Sequence, residues 1–296
     1  MLAELFSIVA PIFIVAGAGF IWGRLGKPYD AELVTTLVYY LGTPCLVFSI
    51  LANVDLQPEA VMTMAGAALT VFAVTGAIAF VVLRIAGWPL RAFLPSMVFA
   101  NSGNMGLPLC LLSFGDKGLA LGITFFTLAS VLNHTIGSSI AAGVTSVKQV
   151  LKVPMVYAAI FAGIFLLSGH KPPDWVNNTT KLIGGMTIPL LLITLGISLA
   201  RLQVANIKRS VVLSMLRLGL GFGVGVAIAE LFGLQGEAWG VLVLQSSLPV
   251  AVFNFLFAKR AGQSPEEVAG VVVVSTTMAF VVLPGLIWFV LRGAGF

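Results

Sequence analysis

Charge is what this sequence has least of. Of 296 residues, 9% are Asp, Glu, Lys or Arg, against 59% that are hydrophobic. A soluble domain carries roughly 25% charged residues, so a water-facing surface of ordinary composition is excluded. Cysteine is nearly absent. Cys45 and Cys110 both fall in apolar stretches, where they read as small buried packing residues rather than a disulfide. Acidic residues are missing from the middle of every apolar stretch; Glu32 and Glu230 come nearest, each close to a stretch end. That removes the usual intramembrane carriers of protons or sodium. No Walker-type phosphate loop occurs, which argues against ATP-driven pumping. The run Gly219, Gly221, Gly223, Gly225 lies inside an apolar stretch. It lacks the strand-then-helix setting of a dinucleotide fingerprint and reads as close helix packing. The formal charge of +5 is spread over the loops, so nucleic acid is not an expected partner.

What remains is apolar length, with a mean hydropathy of +1.06. A spanning helix needs about 20 apolar residues. Ten stretches between charge clusters qualify: 5–23, 32–52, 61–83, 92–114, 118–145, 154–169, 179–200, 210–232, 237–258 and 267–291. The first lacks a basic leader and has Glu4 before it, so it is expected to be a retained span rather than a signal peptide. The connections are short, and no soluble domain is expected between spans.

Positive charge tends to stay on the cytoplasmic side of a membrane. Loops after odd-numbered spans, with Arg201, hold Arg24, Lys27, Arg84, Arg91, Lys148, Lys152, Lys208, Arg209, Lys259 and Arg260, eleven in all. The opposite side holds four: Lys117, Lys171, Lys181 and Arg292. Both termini are therefore expected outside, in a multi-pass protein of the cell's inner membrane. Prolines then point to an internal repeat, because Pro11/Pro154, Pro44/Pro189 and Pro108/Pro249 are paired at nearly one offset. The expected halves are 1–145 and 146–296, five spans each. Five is odd, so the second half enters the membrane inverted. The expected fold is all-α and integral to the membrane, ten transmembrane helices in a 5+5 inverted repeat, an architecture of secondary transporters.

Two segments read as broken helices. Phe99-Ala-Asn-Ser-Gly-Asn-Met-Gly-Leu-Pro108 gathers two glycines and two asparagines ahead of a proline. Leu244-Gln-Ser-Ser-Leu-Pro249, with Asn254 beyond, does the same with other polar residues. Proline removes a backbone donor and clashes with the preceding turn. Unwound backbone is tolerated at membrane depth only where it lines a cavity or is covered by protein. Half-helix N-termini offer free N–H groups and partial positive charge, which suit a carboxylate. The candidate substrate-binding residues are Asn101, Asn104, Met105, Gly106, Pro108, Gln245, Ser246, Ser247 and Pro249, with Thr43 and Asn133 beside them. The bland alternative is that both prolines only kink helices.

Two ionisable residues lie deep. His134, in span five, is either a coupling group or a neutral histidine bonded within the bundle. Arg217 is about 10 Å into span eight at 1.5 Å per residue. It either snorkels to the cytoplasmic interface or places a charge that attracts an anion. No catalytic residue, metal or cofactor is expected.

At these residues the sequence resembles the auxin efflux carrier family, which includes plant auxin exporters and bacterial malate or malonate permeases. The likeness is carried by Pro11-Ile-Phe with Gly17 and Gly19, Tyr40-Leu-Gly-Thr-Pro44, Asn101 to Pro108 followed by Phe114-Gly115, Ile188-Pro189 with Leu195-Gly196, and Leu248-Pro249-Val-Ala. It implies ten spans, with helices 4 and 9 broken and crossing beside the substrate, and the first two spans of each half as scaffold. The auxin exporters carry a proline between the two asparagines of span four. Ser102-Gly103 stands there in this chain, so auxin is not implied. The resemblance implies a small carboxylate as partner and the lipid bilayer as surroundings, with a homodimer left open. A sodium-coupled symporter of the bile-acid type, a passive channel and an intramembrane enzyme are the rivals. The last lacks a nucleophile with its base.

Overall fold

The computed structural model describes residues 2–143 and 153–296. Lys148 and Lys152, counted above for orientation, lie outside the described residues. Those residues form α1 (Leu2–Arg24), α2 (Ala31–Leu37), α3 (Thr43–Leu51), α4 (Pro58–Ile85), α5 (Leu90–Val98), α6 (Leu107–Leu132) and α7 (Ser138–Ala142). After the undescribed stretch come α8 (Pro154–Ser168), α9 (Asp174–Gly185), α10 (Thr187–Arg201), α11 (Ile207–Leu231), α12 (Gly236–Ser246), α13 (Val252–Ala261) and α14 (Pro265–Gly293). Wider π-helical turns join α2 to α3 (Val38–Gly42), lead into α6 (Ser102–Gly106) and join α6 to α7 (Asn133–Gly137).

Among the described residues, seven helical runs are long and apolar enough to cross a membrane, and Pro154–Ser168 is a shorter apolar helix. The run from Ser102 to Ala142 is not one rod. Gly115 has φ +63° and ψ −155°, a left-handed conformation cheap only for glycine, and the helix breaks there. The outward surface is apolar: Ile85, Leu182, Val281, Trp175 and Phe6 are each more than 70% exposed. Apolar exposure on that scale needs lipid around it. Both cysteines are free thiols, Cys110 buried and Cys45 partly so.

The two broken helices meet. Ala100, between α5 and α6, pairs antiparallel with Val250, between α12 and α13. Asn101 N–H donates to the Pro249 carbonyl at 2.7 Å, and Ala251 N–H to the Phe99 carbonyl at 3.2 Å. The Asn254 amide adds a bond to the same Phe99 oxygen at 3.1 Å, and the Ser275 hydroxyl accepts from Val250 N–H at 3.1 Å.

This corrects the proline reading. Pro249 does sit at its break, but Pro108 lies in the first turn of α6, past the break at Phe99–Asn101. The helical run begins at Ser102, so Pro108 falls inside it and follows the wide turn Ser102–Gly106, where Leu107 N–H bonds to the Ser102 carbonyl; the proline marks that wider turn and not the break. Pro11 is likewise inside α1 whereas Pro154 opens α8. Only Pro44 and Pro189 hold like positions, each near the start of the second segment of a bent helix.

Packing is close where glycine permits it. α1 runs along α10, with Gly19 against the Ile193 carbonyl and Gly196 against the Ala16 carbonyl. The glycine run of α11 is split by face: Gly221 and Gly225 press on Ser246 of α12, while Gly219 and Gly223 face open space. Only the first pair serves helix packing.

Any Cβ at Gly196 would collide with α1 backbone, whereas Gly17 has nothing within 4 Å of its would-be Cβ. Gly196→Ala is therefore expected to destabilise the purified protein by about 1–3 kcal/mol, and Gly17→Ala to cost nothing. Thermal melting in detergent checks the pair; equal melting of the two variants would refute the close-packing account.

Candidate functional site

Beside the crossing lies a cavity of about 50 Å³. All three π-helical turns reach it: Val38 and Tyr39 from the first, Ser102, Gly103 and Asn104 from the second, Asn133 and His134 from the third. A π turn holds one residue more than an α turn and frequently marks a functional site. Three converging on one cavity use that extra residue to bring polar side chains inward. No Asp, Glu, Lys or Arg lines it among the described residues. An anion there would be held by dipoles and amides.

Two helix starts supply the dipoles. The turn Ser102–Gly106 leads into α6, and its first three residues line the cavity. α13 begins at Val252, with Ala251 and Phe253 on the cavity wall. The first N–H groups of a helix have no intrahelical acceptor and carry partial positive charge. The amides add to this. Asn101 is 3% exposed, and its Nδ2 finds no partner among the described residues; the Oδ1 of Asn133, 5% exposed, is equally unmatched. A buried polar atom without a partner costs about 1–3 kcal/mol, so these two atoms call for a ligand or water.

The opposite wall is aromatic. Tyr39 and Phe253 both line the cavity and flank His134, with ring centroids 4.9 and 5.3 Å from the imidazole. Phe257 packs on the same ring at 5.3 Å. The His134 Nδ1–H donates to the Ser130 carbonyl at 2.8 Å, which fixes the ring's orientation.

Of the residues singled out from sequence, Thr43, Asn101, Asn104, Asn133 and His134 come together on this cavity. The others do not line it. Met105 is in the hydrophobic core, and Gly106 packs on the Gln245 side chain with no room for a Cβ. Gln245 is buried between α6 and α12, its Nε2 3.4 Å from the Gly122 carbonyl and 3.5 Å from Cys110 Sγ. The Ser246 and Ser247 hydroxyls bond back to their own helix, to Leu242 and Val243 carbonyls at 2.6 Å. Pro108 is in the first turn of α6, and Pro249 contributes its carbonyl to the crossing.

Arg217 does not snorkel. It is 2% exposed, and its guanidinium Nη2 donates to the Ser246 carbonyl at 2.9 Å. α11 starts at Ile207, three residues before the expected boundary, which puts Arg217 about 15 Å along the helix. An interface is out of reach from there.

Sequence reasoning does not reach Tyr39, Phe126, Phe253 and Leu191, which also line the cavity, nor Thr35, Ser130 and Met155 beside them. Tyr39 adjoins the Tyr40-to-Pro44 motif and Phe253 stands four residues past Pro249, so proximity to the motifs was the one signal available.

The sequence profile of a membrane transport protein family matches residues 5–146 and again 140–287. The chain is similar to an uncharacterised transporter of Methanothermobacter thermautotrophicus, 26% identical over 88% of this chain and 89% of the relative. It is also similar to an uncharacterised transporter of Methanocaldococcus jannaschii, 22% identical over 97% of this chain and 99% of the relative. With those matches added to an all-helical, apolar-surfaced fold, the chain belongs to the membrane transport protein family, the auxin efflux carrier-like group whose motifs it carries.

Proposed function

We propose that the protein is a secondary transporter of small organic anions, mono- or dicarboxylates, working by alternating access. It is read as ten spans in two inverted halves, 1–145 and 146–296, in the inner membrane with both termini outside. The observation that carries the reading is the cavity at the crossing. Two half-helix N-termini and the Asn101 amide converge there, the amide without a partner and no charged side chain competing among the described residues. Neutral donors on a preformed dipole hold an anion without the cost of burying a cation. A cavity of about 50 Å³ has room for roughly three to five waters, the scale of a short carboxylate.

Coupling is proposed to come from the substrate gradient or the membrane potential. A proton-coupled variant has its own support, since the His134 ring is part of the cavity wall and its Nδ1–H is already committed to Ser130. The other nitrogen remains for substrate or a proton.

A thermal-shift screen against short mono- and dicarboxylates and aryl acids, with and without sodium, finds the substrate. Saturable counterflow of that labelled acid in liposomes then separates a carrier from a channel. Asn104→Ala is expected to abolish uptake in protein that still folds and inserts, and Asn101→Ala to weaken binding about tenfold or more, the worth of one hydrogen bond to a charged group. Wild-type rates and affinity in both variants would sink the site. For coupling, His134→Gln is expected to flatten the pH profile of uptake, and an unaltered profile removes His134 from it.

A further inference from the structure

Arg217 is among the largest fully buried side chains of the protein, and neither the core nor the cavity accounts for its charge. It is the eleventh of the 25 residues of α11, close to mid-membrane on the proposed reading. Among the described residues no Asp or Glu forms an ion pair with it; the ion pair present is Arg209–Glu267 at 2.6 Å, elsewhere on α11. A buried charge without a counter-ion is costly at that depth. Among the described residues its guanidinium bonds to the carbonyl of Ser246, the last residue of α12, and its Nε has no partner.

That carbonyl belongs to a special place. α12 is the first half of a broken helix, so its C-terminal end, carrying about half a negative charge, stops inside the protein. Ser246, Ser247 and Leu248 are at most 5% exposed. Bulk water does not reach this end. α11 is shaped to reach it: a Cβ on Gly221 or Gly225 would strike Ser246, so the two glycines let the helix approach, and Arg217 spans what is left. In cation-coupled carriers, the carbonyl ends of broken helices are where a coupling cation is ligated.

We infer that the Arg217 guanidinium is a built-in cation for the carbonyl end of α12, so that the crossing needs no bound alkali cation there. Arg217 is thus a positioning residue. It holds the end of α12, and α12 sets the Pro249–Ala251 segment against Phe99–Asn101 at the cavity. The inference rests on the transporter reading for its meaning, but not for its test.

Arg217→Lys and Arg217→Met form the informative pair, being unbranched side chains of similar length that differ in charge. Purified in detergent with no carboxylate present, the Lys variant is expected to melt several degrees above the Met variant, with wild type above both. A side chain that only fills space gives the reverse order, because burying an ammonium costs far more than burying a thioether. Met level with or above Lys overturns the inference. Arg217→Ala is expected to melt lowest and to recover part of the loss in millimolar ethylguanidinium, and no recovery also counts against it; where this variant fails to fold, the Lys and Met pair decides. Wild type is expected to melt equally in sodium chloride and in choline chloride, and higher melting in sodium overturns the claim of an alkali-independent crossing. None of these readouts involves a substrate. Failure here therefore leaves the Asn101 and Asn104 binding results untouched, and the converse holds.

Discussion

The structure depends on how two unwound backbone segments are satisfied away from water. A helix that stops inside a bilayer leaves N–H and C=O groups exposed to a medium that offers no partner, at several kcal/mol for each group. Here the two breaks answer each other. Phe99 and Asn101 exchange hydrogen bonds with Ala251 and Pro249, and the side chains of Asn254 and Ser275 take up further groups at the same point. Neither break is stable without the other, so the two must be brought together for the chain to fold. What the pairing leaves over is the set of first-turn N–H groups after each break. Those groups face the cavity.

The chemistry of the cavity follows from that remainder. Its positive character comes from helix starts rather than from side chains, and its specific contacts come from amides that carry no charge. This division suits a carrier. A lysine in the cavity would hold a carboxylate more strongly but would have to be desolvated each time the site emptied, whereas a helix dipole keeps its bonds to the rest of the helix throughout. The aromatic wall of Tyr39 and Phe253 works in the same direction. It gives an apolar body something to rest on and keeps water from competing for the amides.

Much of this was legible in the sequence, and the gaps have physical causes. Membrane class, helix content and the two broken regions follow from apolar length and from clusters such as Asn101-Ser-Gly-Asn104, because bilayer thickness and backbone satisfaction allow few alternatives. The location of the break within span four did not follow. The cluster ahead of Pro108 marks the region, but the break falls at its N-terminal edge, Phe99–Asn101, seven residues before the proline. It is held open by the pairing of Ala100 with Val250, 150 residues away, which no local propensity records. For the same reason Gln245 was grouped with the cavity residues. A polar residue before a mid-span proline looks like a ligand until its facing neighbours, Gly106 and Gly122, are known.

The two sides of the crossing are not chemically alike, and the difference bears on what drives transport. At the N-terminal sides of the breaks the chain offers neutral donors and a cavity. At the C-terminal end of α12 it offers a buried guanidinium and no space at all. Among the described residues no carboxylate compensates Arg217, and on the proposed reading that cost is the same in the empty and the loaded state. A bound alkali ion would instead have to enter and leave with each cycle, giving a coupling stoichiometry. On the proposed reading, a positive charge fixed in the chain is permanent and takes no part in coupling, so the substrate's own charge and gradient, or a proton at His134, would be the quantities that move.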